Sequence, residues 1–266
     1  MVVLGHVLTA NAIDFIARYE RKLDRKWKVD RLPFDCKYWG DIALDEQYYT
    51  ILIKTNIPGE SFDAVFCHEF YHAFQFSKGF PTVLPNSRTN TDTAELAHRL
   101  TCAVLDLSTD DVLRKHSIDN SFIVMQRYKL LKDFRKGGFS ICASALCRNY
   151  LTIELIIGLH GVPAEQRNVL LQELKKTLPG VFEMYNNMKE KIDEFGFSTP
   201  EGCFKIYGFL ISSLDLWKHC HILYCGNQVH DLQQFQNSIA HDQRVENKLE
   251  NYFANRQSSV IGIGLL

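Results

Sequence analysis

The segment SFDAVFCHEFYHAFQFSKGF, Ser61–Phe80, decides how the rest of the chain is interpreted. It contains two histidines four residues apart, His68 and His72, with Glu69 directly after the first of them. Because residues four apart lie on one face of an α-helix, the two imidazoles can reach the same ion. The question is whether this pattern holds a metal or occurs by chance in a helix with nothing bound.

The residues around the motif predict a buried helix. Ser61 is predicted to be the N-cap, and Glu60 and Asp63 place negative charge near the helix start. Gly79 followed by Pro81 is expected to end the helix. Apolar residues cover more than half of the circumference, so we expect burial on several sides. Ionisable groups in such a helix need partners.

A His-Glu-x-x-His pattern on a helix is typical of zinc hydrolases. Zinc binds neutral imidazole, and a catalytic zinc usually has three protein ligands and one open position. Glu69 would then be the general base, which takes a proton from the attacking water and passes it to the leaving amine. The uncharged residues flanking the motif favour this interpretation over two polar residues that face solvent.

The predicted site needs a third ligand. Glu95 follows His72 after 22 intervening residues and begins a second predicted helix, AELAHRLTCAVLDL. We therefore predict Glu95 as the third ligand, with His98, one turn further on, as the rival. Asp92 and Glu95 also have the spacing of a capping box, in which Glu95 would only bind a backbone amide.

Two stretches carry a resemblance to a known family. ILIKTNIPGESFDAVFCHEFYHAFQF, followed by TAELAHRLTCAVL, resembles the ImmA/IrrE-type zinc metallopeptidases. In that family a strand precedes the zinc helix, and the Glu-x-Ala that opens a later helix supplies the third ligand, as Glu95 and Ala97 would here. The resemblance implies a gluzincin-like peptidase in which His68, His72 and Glu95 hold zinc and Glu69 is the base. It also implies a regulatory protease that cuts a protein such as a transcriptional repressor.

The wider pattern predicts an α+β, mainly helical fold. A first helix is expected over Thr9–Lys26, and the segment YYTILIK, Tyr48–Lys54, is the best strand. We expect a zincin-like catalytic region with a small antiparallel sheet over residues 1–108. A helical C-terminal region is expected over residues 109–266.

The second region is expected to contain further helices. Pro163–Thr177 and Val181–Phe195 predict a helical hairpin, and Thr199 opens a helix that runs towards Cys225. The last nine residues, SSVIGIGLL, are either a final strand or a buried tail. The cluster in KHCHILYCGNQVH has irregular spacing for a second zinc site, so a helix end with buried cysteines is favoured over it.

Composition narrows the possible partners and location. The 266 residues include 46% hydrophobic and 23% charged residues and have a formal net charge of -1, which argues against a nucleic-acid partner. The basic run Arg18–Arg31 contains interleaved acids and is interpreted as a solvated helix face. No apolar run approaches the ~18 residues that a membrane span needs. The eight cysteines are irregularly spaced and are expected to be reduced.

These observations predict a cytoplasmic zinc metallopeptidase that binds a polypeptide substrate and neither nucleic acid nor membrane, with its oligomeric state open. One alternative is a non-catalytic protein-binding or regulatory module that retains a zincin-like fold. An intact motif does not decide between the two, because it guarantees neither an open cleft nor a substrate.

Overall fold

A computed structural model describes residues 1–33, 36, 38–85, 91–136, 144–216 and 219–224. The fold is α+β and mainly helical, and its small sheets are mostly antiparallel, as the sequence predicts. The described elements, in chain order, are β1 Val2–Val3, β2 His6–Val7, α1 Ala10–Glu20, β3 Lys26–Arg31, β4 Gly40–Leu44, β5 Tyr48–Ile53, α2 Gly59–Ser77, β6 Pro81–Pro85, α3 Thr91–Lys115, α4 Ser121–Lys136, α5 Ala145–Gly158, α6 Ala164–Thr177, α7 Pro179–Phe195, α8 Pro200–Ser213 and β7 Cys220–Tyr224.

The strand predicted at Tyr48–Lys54 is confirmed as β5, the centre of a three-stranded sheet ordered β3-β5-β4. β4 pairs with β5 antiparallel, whereas β3 pairs with it in parallel. Side chains alternate between the two faces of a strand, and Ile51 and Ile53 are buried in the same hydrophobic cluster as Phe66 of α2. The sheet therefore packs against the helix that carries the histidines, with β4 at its edge.

α1 is shorter than predicted. Thr9 caps it, with its hydroxyl accepting a hydrogen bond from the amide of Ala12, but the helix ends at Glu20 instead of near Lys26. Lys26 begins β3, whose backbone pairs along its whole length with β5. The basic run interpreted as one helix face is thus divided between α1 and β3, because pairing with the sheet outweighs local helical periodicity.

α2 begins earlier than predicted but ends where expected. Pro58 is the N-cap residue, and Ser61 lies inside the first turn with its N–H donating to the carbonyl of Pro58. Ser61 is therefore not the cap. The helix ends before Gly79, whose φ of 74° is a left-handed value that favours glycine.

The predicted burial of α2 on several sides is confirmed. On one side Phe70 packs against Trp27 of β3, with ring centroids 5.3 Å apart. On another side Tyr71 packs edge-on against Tyr19 of α1, at 5.1 Å. α3 covers a further side of α2. These contacts fix the rotation of α2 about its axis, so the direction in which the histidines point is fixed as well.

Two hydrophobic clusters organise the described residues, and α3 takes part in both. The first cluster joins β1, α1, β5 and α2, and it includes Leu113 of α3. The second joins β6 to the later helices and β7, and it includes Leu100 and Val104 of α3. The predicted boundary between residues 108 and 109 falls inside α3, so one continuous helix crosses it.

The later helices agree with the sequence until the end of α8. α6 and α7 form the predicted hairpin, and Thr199 caps α8. α8 ends at Ser213 instead of continuing towards Cys225, and β7 follows it and pairs antiparallel with β6. Cys225 and His230 of the alternative second zinc site and the segment SSVIGIGLL lie outside the described residues.

Cysteine chemistry differs from the prediction at one position. Cys147 is disulfide-bonded, so the expectation of reduced cysteines is wrong there. The free cysteines that the structure describes are Cys36, Cys67, Cys102, Cys203 and Cys220. None of the helices in the described ranges is both long and apolar enough to span a bilayer.

Candidate metal centre

Three donor atoms from two helices converge at one point. The Nε2 atoms of His68 and His72 on α2 lie 3.1 Å apart. Oδ1 of Asp106, on α3, lies 3.1 Å from Nε2 of His72 and 3.3 Å from Nε2 of His68. All three side chains are buried, and the group could hold a metal ion.

The spacing of these atoms fits a tetrahedral ion. Bonds of about 2.0–2.1 Å, as zinc makes to nitrogen and oxygen, give tetrahedral edges of about 3.3–3.4 Å. The three observed edges are 3.1 to 3.3 Å, so little movement is needed to bind an ion. Three protein donors leave the fourth corner of such a tetrahedron for water or substrate. Two imidazoles and one carboxylate suit zinc, and they also suit other divalent transition metals.

His72 is oriented by a neutral amide. Its Nδ1 donates to Oε1 of Gln75 at 2.7 Å, and Nε2 of Gln75 donates to the carbonyl of Leu105 at 3.1 Å. Because the Gln75 amide is held at both ends, its oxygen faces His72. The proton of His72 is therefore on Nδ1, and the lone pair of Nε2 points to the centre.

His68 faces a carboxylate on its other side. Nδ1 of His68 lies 3.6 Å from Oδ1 of Asp110, which is one helical turn after Asp106 on α3. Within the described part of the chain neither atom has a hydrogen-bond partner. An N–H on Nδ1 directed at Asp110 satisfies both atoms after a small approach, and it leaves Nε2 free to bind a metal.

Arg127 of α4 holds both carboxylates. Its Nη2 lies 2.8 Å from Oδ2 of Asp106, and its Nη1 lies 2.5 Å from Oδ2 of Asp110. Glu69 lies beside the same histidines, so the pocket contains three carboxylates and one arginine. One divalent cation added to neutral imidazoles would offset the charge of these groups, which is consistent with a metal ion at this place.

The electrostatics of the pocket also favour positive charge. Burial opposes a charge on His68, but the facing carboxylates of Asp106 and Asp110 outweigh it and raise the pKa of His68 to about 10. Burial alone would raise the pKa of Asp106, yet Arg127 and His68 hold it well below its usual range. A metal ion would therefore take the place of a proton on His68, since both occupy the same negative potential.

Glu69 lies beside the ligands and against the edge strand. Burial raises its pKa, while the charges of His68 and His72 act in the opposite direction. The side chain occupies the space next to the Cα of Gly40 in β4: a Cβ at Gly40 would lie 2.7 Å from Oε1 of Glu69. Glycine at this position lets the strand approach the carboxylate.

The structure brings together two of the three predicted ligands. His68 and His72 are in the group, but Asp106 takes the place predicted for Glu95. Eleven positions separate Glu95 from Asp106 on α3. This is about three helical turns, so the two side chains share a face but lie roughly 16 Å apart along the axis. His98 is exposed and is also outside the group.

Sequence reasoning missed Asp106, Asp110, Gln75 and Arg127. A signal was present for the two aspartates, because they are spaced i, i+4 and therefore share one face of a helix, which in α3 is the buried face. Gln75 and Arg127 had no comparable signal. Each is recognised only from its contacts with the site.

Comparison with known proteins gives no match: no protein-family model, no curated protein and no solved structure is similar to this chain. The arguments for a function therefore come from the site itself.

Proposed function

We propose that this protein is a metal-dependent peptidase in which His68, His72 and Asp106 hold a zinc ion and Glu69 is the general base. The observation that carries the proposal is the convergence of three buried donor atoms within 3.1 to 3.3 Å of one another, beside a carboxylate on the same helix. The proposal keeps the resemblance to ImmA/IrrE-type peptidases for the motif helix. It replaces the third ligand that this resemblance implied.

In the proposed reaction the metal ion and Glu69 have different roles. A bound zinc ion supplies Lewis acidity, which polarises a substrate carbonyl and makes water more acidic. Glu69 takes the proton of the attacking water and transfers it to the leaving amine. Gln75 and Asp110 keep the two imidazoles turned so that each presents Nε2 to the centre.

A polypeptide substrate is supported by the position of β4. This strand is at the edge of the described sheet, and Gly40 at its start lies against Glu69. An extended peptide can add to a free strand edge through backbone hydrogen bonds. A peptide bound in this way would run past the base, which suits hydrolysis of a backbone amide.

The variant Glu69→Gln tests the proposal, because it removes the base while retaining nearly the same shape. We expect the purified variant to bind zinc stoichiometrically and to lose cleavage by about 10²–10⁴-fold, the usual contribution of a general base. Zinc is measured by elemental analysis. Cleavage is measured by comparing new protein N-termini in cells that produce the intact protein with those in cells that produce the variant.

Two results would contradict the proposal. Full cleavage by Glu69→Gln would exclude Glu69 as the base. Stoichiometric zinc in both proteins, with identical sets of N-termini, would instead favour the non-catalytic binding module. Asp106→Asn is the companion variant, and it is expected to lose both zinc and cleavage.

A further inference from the structure

Arg127 contacts one oxygen of Asp106 and one oxygen of Asp110, and it leaves the second oxygen of each carboxylate for other partners. Its planar guanidinium binds Oδ2 of Asp106 with one nitrogen and Oδ2 of Asp110 with the other. Oδ1 of Asp106 is left facing the two Nε2 atoms, and Oδ1 of Asp110 is left facing His68. Asp106 thus has one oxygen for Arg127 and one for the metal centre, whereas Asp110 has one oxygen for Arg127 and one for His68.

We infer that Arg127 is a positioning residue that limits Asp106 to ligation through a single oxygen and so keeps the fourth metal position open. This inference rests on the metal centre proposed above. A carboxylate can bind an ion through one oxygen or both, and the second mode is common for larger ions with more ligands. Chelation by both oxygens of Asp106 would use the space that water or substrate needs.

The structure gives Arg127 the rigidity that this role requires. Its side chain is only 13% exposed, and Asp110, which anchors its other nitrogen, is completely buried. An arginine held at both nitrogens has a fixed direction, whereas a lysine is a single point charge on a flexible stem. Rotating Oδ2 of Asp106 towards a metal would break its 2.8 Å contact with Arg127 in a buried place, which is costly.

The test compares wild-type protein with Arg127→Met and Arg127→Lys after loading with Co²⁺. Four-coordinate Co²⁺ absorbs visible light several-fold more strongly than five- or six-coordinate Co²⁺, so the spectrum reports coordination without any activity assay. We expect a strong tetrahedral spectrum in the wild type. In both variants we expect weaker bands at full Co²⁺ occupancy and zinc affinity lower by about 10–100-fold, the usual effect of losing an outer partner.

Lysine keeps a positive charge beside the two aspartates, so this variant is expected to fold even where Arg127→Met does not. Arg114→Lys is the matched control, because Arg114 also pairs with an aspartate of α3, Asp111, but is 40% exposed and does not contact the ligands. The control should keep the wild-type spectrum.

The outcomes separate this inference from the proposed function. A wild-type protein that binds no Co²⁺ and no Zn²⁺ overturns the metal centre and the inference together. A wild-type protein with a tetrahedral spectrum that Arg127→Lys reproduces unchanged overturns only the role of Arg127. Weaker bands in Arg114→Lys as well would also overturn it, because the effect would then not depend on contact with the ligands.

Discussion

Asp106 contacts both histidines of the site and also Arg127. One of its oxygens faces two imidazoles and the other faces Arg127. Both oxygens therefore have polar partners only while the histidines and the arginine are present. A buried carboxylate with one partner removed is strongly unfavourable, which ties the ligand to its arginine. Glu95 carries the same chemical group about three helical turns nearer the N-terminus of the same helix, which is too far from the centre for it to be a ligand.

The structure points to Asp106 as the third ligand, whereas the sequence predicted Glu95. Replacing each carboxylate by an amide in turn distinguishes the two assignments. Asp106→Asn is expected to weaken zinc binding by more than the ~10–100-fold that follows loss of an outer partner, because a ligand itself is lost. Glu95→Gln is expected to leave zinc affinity within a few-fold of the wild type. Competition with a chromophoric chelator measures both affinities, and equal losses in the two variants would contradict the assignment of Asp106.

The sequence predicted the two histidines and Glu69 because their spacing determines their relative position on one helix. It did not predict that Asp106 completes the group, because any carboxylate on the inner face of α3 met the same requirement. Choosing between Glu95 and Asp106 depends on where along their axes α2 and α3 cross. That crossing is set by packing of the two helices and leaves no mark in the local sequence.

At the scale of elements, the contact between β4 and α2 defines one wall of the site. Gly40 begins β4 where the strand passes Glu69, and there is no room for a Cβ between them. The nearest atoms belong to the Glu69 side chain itself, so a larger residue would have to displace the proposed base before anything else. The position of the Glu69 carboxylate therefore depends on the absence of a side chain at Gly40.

Gly40→Ala is expected to reduce cleavage by at least about 10-fold while zinc stays bound, because a misplaced base costs catalysis more than binding. The added Cβ would lie 2.5 Å from Cγ of Glu69, so the carboxylate must move. Gly180→Ala, on α7, is the control, since a Cβ there meets nothing within 4 Å. Zinc content, cleavage rate and thermal unfolding are measured for both. Unchanged cleavage in Gly40→Ala would show that the contact does not position Glu69.

The α6–α7 hairpin and the strand β5 were predicted correctly, whereas β3 and β7 were not. The hairpin of α6 and α7 was recognised from the proline and glycine residues that bound its helices, and β5 from its run of aromatic and β-branched residues. β3 and β7 were missed because each is stabilised by a partner strand far away in the chain, β5 and β6 respectively. A strand whose partner is not adjacent offers too little local evidence against a helical interpretation.

At the scale of the whole molecule, the candidate metal centre lies between two hydrophobic clusters. The histidines come from α2, in the first cluster, while Asp106 lies in the part of α3 that belongs to the second. Arg127 adds α4 to the same group of contacts. A bound ion would therefore add a link between parts of the fold that α3 and α4 also connect, and its removal should loosen them locally.

Removing zinc with a chelator is expected to destabilise the protein unevenly. A ligand at 100 times its dissociation constant stabilises a fold by about 2.7 kcal/mol, which for a chain of this size is roughly 5–11 °C in Tm. Hydrogen exchange at short times should accelerate in α2, α3 and α4, which carry the ligands and Arg127. The α6–α7 hairpin has no side chain in the site and serves as the internal control. Zinc should have no such effect on Asp106→Asn, and equal acceleration in the hairpin and in α2 would mean that the ion stabilises the fold only globally.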